Sequence, residues 1–277
     1  EGIKKGENKV YLPGKKLNSK LCSFIKWSEV QEHLDKVSLI VLGLPTSALQ
    51  PYFEQDENIK EVSALLSRDV SLVSLSKGID ADTLELPDDL LYQYLGKYKD
   101  CLTFLSGPSF AAEIMDEQIT LASLAGRSKK HLSKVASFLS CHYFKVFMTY
   151  DVKGVLLGGA LKNILAIAGG IIEGLGYNHN TRAAMITRGI AEMLRFGKVF
   201  NARPETFYGL AGMGDLILTT TGDLSRNKSF GLEIAKGRSA KEIIDSQRSV
   251  VEGYRTTFAA FQLSEKYEIR ARIFRGI

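Results

Sequence analysis

The chain has 277 residues, 45 % hydrophobic and 24 % charged, the balance of an ordinary globular protein long enough for about two domains with sizeable cores. Its net charge of +5 is mild and its basic residues are dispersed, so nucleic acid is not a suggested partner, although such a field welcomes a phosphorylated ligand. Three cysteines without CxxC spacing and four histidines without a ligand pattern argue against a metal site, and no run of about 18 consecutive apolar residues predicts a membrane span.

The opening EGIKKGENKVYLPGKKL is polar, with Pro13-Gly14 marking a turn. Residues 37–44 (VSLIVLGL) form a continuous apolar run ending at Pro45-Thr46-Ser47, which predicts a strand followed by a helix start with a hydroxyl cap. Residues 70–75 run in the same way into Ser76-Lys77-Gly78, and 101–105 into GPSFAAE. Further strands are predicted over 119–125 and 143–148, with a helix over 128–139 between them. Strands alternating with helices imply a doubly wound, mostly parallel α/β sheet whose ligands sit beyond the carboxyl ends of the strands. Those ends carry Pro45, Lys77 and Ser109. Cys22, Cys101 and Cys141 all adjoin apolar residues and are expected to be buried, reduced thiols of a cytosol-like compartment.

After Tyr150 the periodicities become helical: 151–176, 180–201, a Gly-rich turn, 227–236, 240–248 and 253–268. The expected division is therefore an α/β domain over 1–150 and an all-helical domain over 151–277. Within 151–176 (DVKGVLLGGALKNILAIAGGIIEGLG) Lys162 and Asn163 interrupt apolar and small residues. The helical neighbours of Lys162 at three and four residues are Gly158, Gly159, Leu165 and Ala166, so no carboxylate on its own helix can pair with it. Such a lysine either snorkels to water or is held desolvated to pass a proton.

The stretch 209–231 (GLAGMGDLILTTTGDLSRNKSFG) is the densest in chemistry. Its glycines permit a tight turn that presents Asp215, and Ser225-Arg226-Asn227 opens a helix with a cap, a guanidinium fork and an amide suited to phosphate oxygens. An interhelical turn with a capping serine and a surface arginine would use the same residues. In SGPSFAAE, Ser109 either caps a helix or faces a ligand, capping being the simpler expectation.

SLSKGI, FLSGPSFAAE, GGALKNILAIAGGIIEGLG, TRAAMITRGIAEM, GLAGMGDLILTTT, LSRNKSFG and VVEGYRTT, in this order and spacing, resemble the NAD(P)-dependent glycerol-3-phosphate dehydrogenases, most closely those of bacterial type. The resemblance implies a Rossmann-type domain followed by an all-α domain of the 6-phosphogluconate-dehydrogenase-like type, with NAD or NADP as cofactor. It also implies dihydroxyacetone phosphate and sn-glycerol 3-phosphate as substrate pair, a cytoplasmic setting serving phospholipid synthesis, and a homodimer. It makes Lys162 the acid or base at the C2 oxygen and Asp215 its partner, with Lys77 and Asn163 holding and polarising the substrate beside Thr219. Ser225, Arg226 and Asn227 would take the phosphate, and Gly107 and Ser109 would line the substrate site. Lys77, Ala111, Arg226, Val250 and Glu252 would contact the dinucleotide.

The family also opens with a strand and a GxGxxG-type turn, neither of which precedes ENKVYLPG here, and Gly212-Met213-Gly214 follows no predicted strand. The expectation is that the sequence is incomplete, the native protein carrying roughly 30 to 60 further residues that hold the first βαβ segment, the alternative being a truncated protein without it. Two other readings are a remnant that binds a substrate or partner without catalysis, and a relative that reduces another small phosphorylated ketone.

Overall fold

The structure, a computed structural model, describes residues 6–246 and 251–277. The first half is built on a five-stranded sheet, β3 (Leu39–Leu42), β4 (Ser71–Ser74), β5 (Leu102–Ser106), β6 (Thr120–Gly126) and β7 (Phe144–Thr149), ordered as numbered. β1 (Glu7–Asn8) and β2 (Leu12–Lys16) make a separate antiparallel hairpin. Apolar runs without alternation belong to strands covered on both faces, and β4 is buried at all four positions. Helices α1 (Thr46–Phe53) and α2 (Asp56–Ser67) join β3 to β4, α3 (Pro87–Leu95) leads to β5, and α4 (Ala111–Met115) and α5 (Lys129–Leu139) follow β5 and β6. β3, β4 and β5 pair in parallel, with Val41 opposite Val73 and Val73 opposite Thr103. β6 turns antiparallel to β5, Phe104 facing Ala125, and β7 returns parallel to β6. The carboxyl ends of β3, β4 and β5 therefore open on one edge, where Pro45, Lys77 and Gly107 follow them.

The second half is helical among the described residues: α6 (Val152–Gly174), α7 (His179–Val199), α8 (Pro204–Tyr208), a π-helical turn (Leu210–Gly214), α9 (Asp215–Thr221), α10 (Arg226–Ala235), α11 (Ala240–Ser246), α12 (Glu252–Lys266) and α13 (Arg272–Gly276). α6 is apolar on every side, which in water requires enclosure. It is buried from Val152 to Gly170 apart from half-buried Lys153, with α7, α9, α10 and α12 around it. Its length and mean hydropathy of 1.9 would suffice to cross a bilayer, yet 89 % of its most apolar window lies inside the protein. Asp151 caps its start, accepting from the Gly154 N–H at 3.0 Å, and the same carboxylate takes the Arg203 N–H at 2.9 Å and the Thr206 hydroxyl at 2.6 Å. One aspartate thereby fixes α6 to the start of α8.

α6 and α10 cross almost backbone to backbone. A Cβ on Gly170 would lie 2.0 Å from the Lys228 carbonyl oxygen, and one on Gly231 would lie 2.1 Å from that of Ile167. The glycines of GGII and SFG are there to let the helices touch. Lys153 ties α6 to the first half, its ammonium 2.9 Å from Asp88 and 2.6 Å from Asp89 at the start of α3.

Several local expectations are corrected. α1 starts after Pro45 with no side-chain cap, and the Thr46 hydroxyl is buried without a partner among the described residues. α4 starts after Phe110, again uncapped; the Ser109 hydroxyl instead donates to the Gly107 carbonyl at 2.9 Å, closing the Gly-Pro turn locally. The expected Gly-rich turn is partly helix, since a π turn runs directly into α9. Pro13-Gly14 lies within β2 rather than at the hairpin tip. Cys101 is buried as expected, whereas Cys22 is exposed and Cys141 half-buried. The helix expected over 240–248 is described as far as Ser246.

Candidate active site

Three elements converge at the open edge of the sheet. α6 brings Lys162 and Asn163 from below, the loop after β4 brings Lys77, and the π turn delivers Asp215 as the first residue of α9. The Lys162 ammonium lies 2.5 Å from Asp215 Oδ1, and that of Lys77 lies 3.1 Å from Oδ2 of the same carboxylate. Lys77 also reaches the Gly107 carbonyl oxygen at 3.4 Å. Gly107 holds φ at +147°, and its Cβ would meet the Ala122 Cα at 3.0 Å, so this turn is open to glycine alone.

Asp215 is 1 % exposed and Lys162 6 %. A buried charge persists only when paired, and one carboxylate between two ammoniums leaves a net positive floor. Burial, followed by the Lys77 charge, lowers the Lys162 pKa to about 8, against the pull of Asp215 in the other direction. The lysine is thus poised to give or take a proton near neutral pH.

The cleft above this floor has a volume of about 980 Å³. Its walls include Ser109 and Ala111 from the first half and Thr219, Ser225, Arg226, Asn227 and Glu252 from the second. Ser225 caps α10 as its position predicts, its hydroxyl accepting the Lys228 N–H at 3.2 Å, which points that helix N-terminus and Arg226 into the cleft. The Asn227 amide nitrogen donates to Asn163 Oδ1 at 3.0 Å. The Thr219 hydroxyl is engaged with the Asp215 carbonyl at 2.7 Å, so Thr219 lines the site while steadying the first turn of α9. Burial raises the pKa of the Glu252 carboxyl, a tendency opposed by Lys77, Arg226 and Lys162.

The structure thus gathers Lys77, Gly107, Ser109, Ala111, Lys162, Asn163, Asp215, Thr219, Ser225, Arg226, Asn227 and Glu252 around one cleft, while Val250 lies outside the described residues. It adds the hairpin residues from Lys9 to Leu12 at the cleft wall, which no sequence pattern marks. No cluster of three or more metal-ligating side chains occurs among the described residues.

A family model for the N-terminus of NAD-dependent glycerol-3-phosphate dehydrogenase matches residues 3–132, and one for its C-terminus matches 151–277. The chain belongs to the NAD-dependent glycerol-3-phosphate dehydrogenase family. It is 42 % identical to glycerol-3-phosphate dehydrogenase [NAD(P)+] of Syntrophotalea carbinolica, over 98 % of this chain and 79 % of that protein. With the enzyme of Citrifermentans bemidjiense it shares 41 % identity, over 96 % and 77 %. The crystal structure of glycerol-3-phosphate dehydrogenase from Coxiella burnetii superposes with a TM-score of 0.86 at 33 % identity, covering 97 % of this chain and 79 % of that one. This dehydrogenase family accounts for the combination of a Rossmann-like sheet with a helical second half.

Proposed function

We propose that the protein interconverts dihydroxyacetone phosphate and sn-glycerol 3-phosphate with NAD or NADP. The observation that carries this reading is the buried Lys162–Asp215–Lys77 charge set beneath a cleft walled by Arg226, Asn227 and the N-terminus of α10. In the direction of reduction, the Lys162 ammonium gives a proton to the C2 oxygen and is left as a neutral amine; in the reverse direction the amine takes that proton back. The Lys77 ammonium stabilises negative charge developing on the same oxygen, and Asp215 holds both lysines in place. Arg226 and Asn227 anchor the phosphate. The cleft, about 980 Å³ and lined by Ala111, Arg226 and Glu252 beside Lys77 and Lys162, fits the reactive end of a dinucleotide next to the substrate. The dinucleotide, when bound, supplies the hydride to C2.

We further read 1–150 and 151–277 as the cofactor and substrate domains, and a cytosolic homodimer serving glycerophospholipid synthesis as the setting. The deciding experiment is oxidation of NADH, and separately NADPH, with dihydroxyacetone phosphate, run beside Lys162→Ala. Turnover lost in the variant supports the reaction and the proton assignment, and absence of turnover both in this chain and in one extended by the expected first βαβ segment refutes them. Phosphate-free dihydroxyacetone separates this reading from reduction of another ketone: an anchor built on Arg226 and Asn227 rejects it strongly.

A further inference from the structure

The polar wall of the cleft contains a directional relay that ends in a backbone group. Gly253 is the second residue of α12, where an N–H has no partner within its own helix, and the residue before that helix provides no side-chain cap. The Gly253 N–H donates to Asn227 Oδ1 at 3.1 Å, and Asn227 Nδ2 donates in turn to Asn163 Oδ1 at 3.0 Å. An asparagine amide is ambiguous, because either end can face a given neighbour, but a backbone N–H can only donate. The Gly253 N–H therefore fixes the Asn227 oxygen toward itself, which turns the Asn227 NH2 toward Asn163 and obliges Asn163 to answer with its oxygen. Each carbonyl oxygen thereby accepts one bond within the relay and is held toward its partner. The N–H groups the relay does not use, the pair on Asn163 and the second on Asn227, are left for the cleft that both asparagines line.

The same position must be glycine. A Cβ there would stand 2.6 Å from Asn227 Oδ1 and 2.8 Å from the Asn163 carbonyl oxygen, so any side chain pushes α12 off the two groups it orients.

We infer that Gly253 is a positioning residue, whose N–H and missing side chain orient Asn227 and Asn163 so that their unused amide donors serve an anionic substrate in the cleft. The inference deepens the proposed reaction and rests on that reading for the identity of the substrate. It also makes the substrate wall and the adjoining Glu252 one mechanical unit, because residues 252 and 253 open the same helix.

The test uses the purified protein and sn-glycerol 3-phosphate as probe. Gly253→Ala is expected to weaken calorimetric binding of the probe by about tenfold or more, since oriented donors to an anion are lost. In turnover it raises KM for dihydroxyacetone phosphate by a similar factor while kcat stays within about threefold, a split that general destabilisation does not produce. Should the variant not fold, amide exchange in the wild type decides independently. The Gly253 N–H is protected there and becomes fast-exchanging in Asn227→Ala, whereas the amides further along α12 keep their rates. Binding by Gly253→Ala within twofold of wild type, or Gly253 exchange unmoved in Asn227→Ala, overturns the inference. A protein that binds the probe without turning over the ketone, in this chain and in the extended one alike, would refute the reaction alone, and the relay would still be judged by binding and exchange.

Discussion

Lys162 shows how environment creates a reagent. An ammonium in water holds its proton to beyond pH 10, while the same group beneath the cleft, desolvated and beside Lys77, lets go at about 8. Ketone reduction needs the protonated form and alcohol oxidation the neutral one, so the reductive rate should fall, and the oxidative rate rise, as pH passes through about 8. Paired pH profiles of kcat/KM measure both limbs, and limbs of the same sign would remove Lys162 from the proton step. Removing the side chain, as in Lys162→Ala, should lower kcat by about 10²- to 10⁴-fold, the usual contribution of a positioned acid. Asp215 works against burial by favouring the charged amine. Asp215→Asn should therefore shift the reductive limb to lower pH, because the main opposition to burial and the Lys77 charge is then gone. The sign of the stability effect follows as well. Lys162 binds its proton less readily folded than unfolded, so its contribution disfavours folding below about pH 8 and is relieved as pH rises toward the unfolded value.

At the scale of elements, the contact between α6 and α10 sets the register of the cleft wall that carries Arg226 and Asn227. Gly170→Ala places a methyl carbon 2.0 Å from a carbonyl oxygen, and Gly231→Ala does the same at 2.1 Å from the opposite side. Each should cost about 1–3 kcal/mol of unfolding free energy by overpacking, read as a lower urea midpoint with an unchanged m value. An unchanged midpoint would mean that the helices can part freely. Elements with strong periodicity or long apolar runs were legible beforehand: the sheet strands lie within a residue or two of their apolar runs, and α6 within two residues of its predicted span. Helices α2 and α3 were not anticipated, although both bury an apolar face. The stretch from 209 to 222 reads as a turn because its glycines dominate local propensity, while packing of Ala211 and Gly212 against Phe207 and α6 forces a π turn and a helix. Caps were legible where a serine stood at the end of a polar loop, as at Ser225. They were not at Thr46 or Ser109, where a neighbouring proline had already set the backbone.

Across the whole molecule, the two halves are joined by buried charge as well as by apolar packing. Asp88 is 2 % exposed and its pKa is raised by burial, with Lys153 acting in the opposite direction. Lys153→Met should leave Asp88 buried without its cation and lower stability by about 1–3 kcal/mol, less than for a fully enclosed pair because Lys153 is partly solvated. Because the folded Asp88 carboxyl is reluctant to ionise, this deficit should shrink as pH falls and the group takes up its proton, and thermal melts across that range would show it. A deficit that grows on acidification would contradict the account. The candidate site was legible in type but not in arrangement. Lysine 162 in an apolar helix asked for a distant carboxylate, and Asp215 supplies it, but that Lys77 shares the same carboxylate is a product of the crossing between halves.

α6 carries this further. Protein chemistry is often hosted on loops, which can be rewritten without touching the scaffold. Here Lys162, the proposed proton donor, grows out of the enclosed helix α6, flanked by glycines pressed against other backbones. Sequence change in that helix cannot be spent on new specificity without being felt as lost stability. Diversification should therefore enter through the rim, at Ser109, Leu224 and the 9–12 hairpin tip, while the helix itself stays a fixed inheritance. A saturation-mutagenesis library scored separately for folding and for turnover would display that division as two maps that coincide along α6 and part company around the mouth of the cleft.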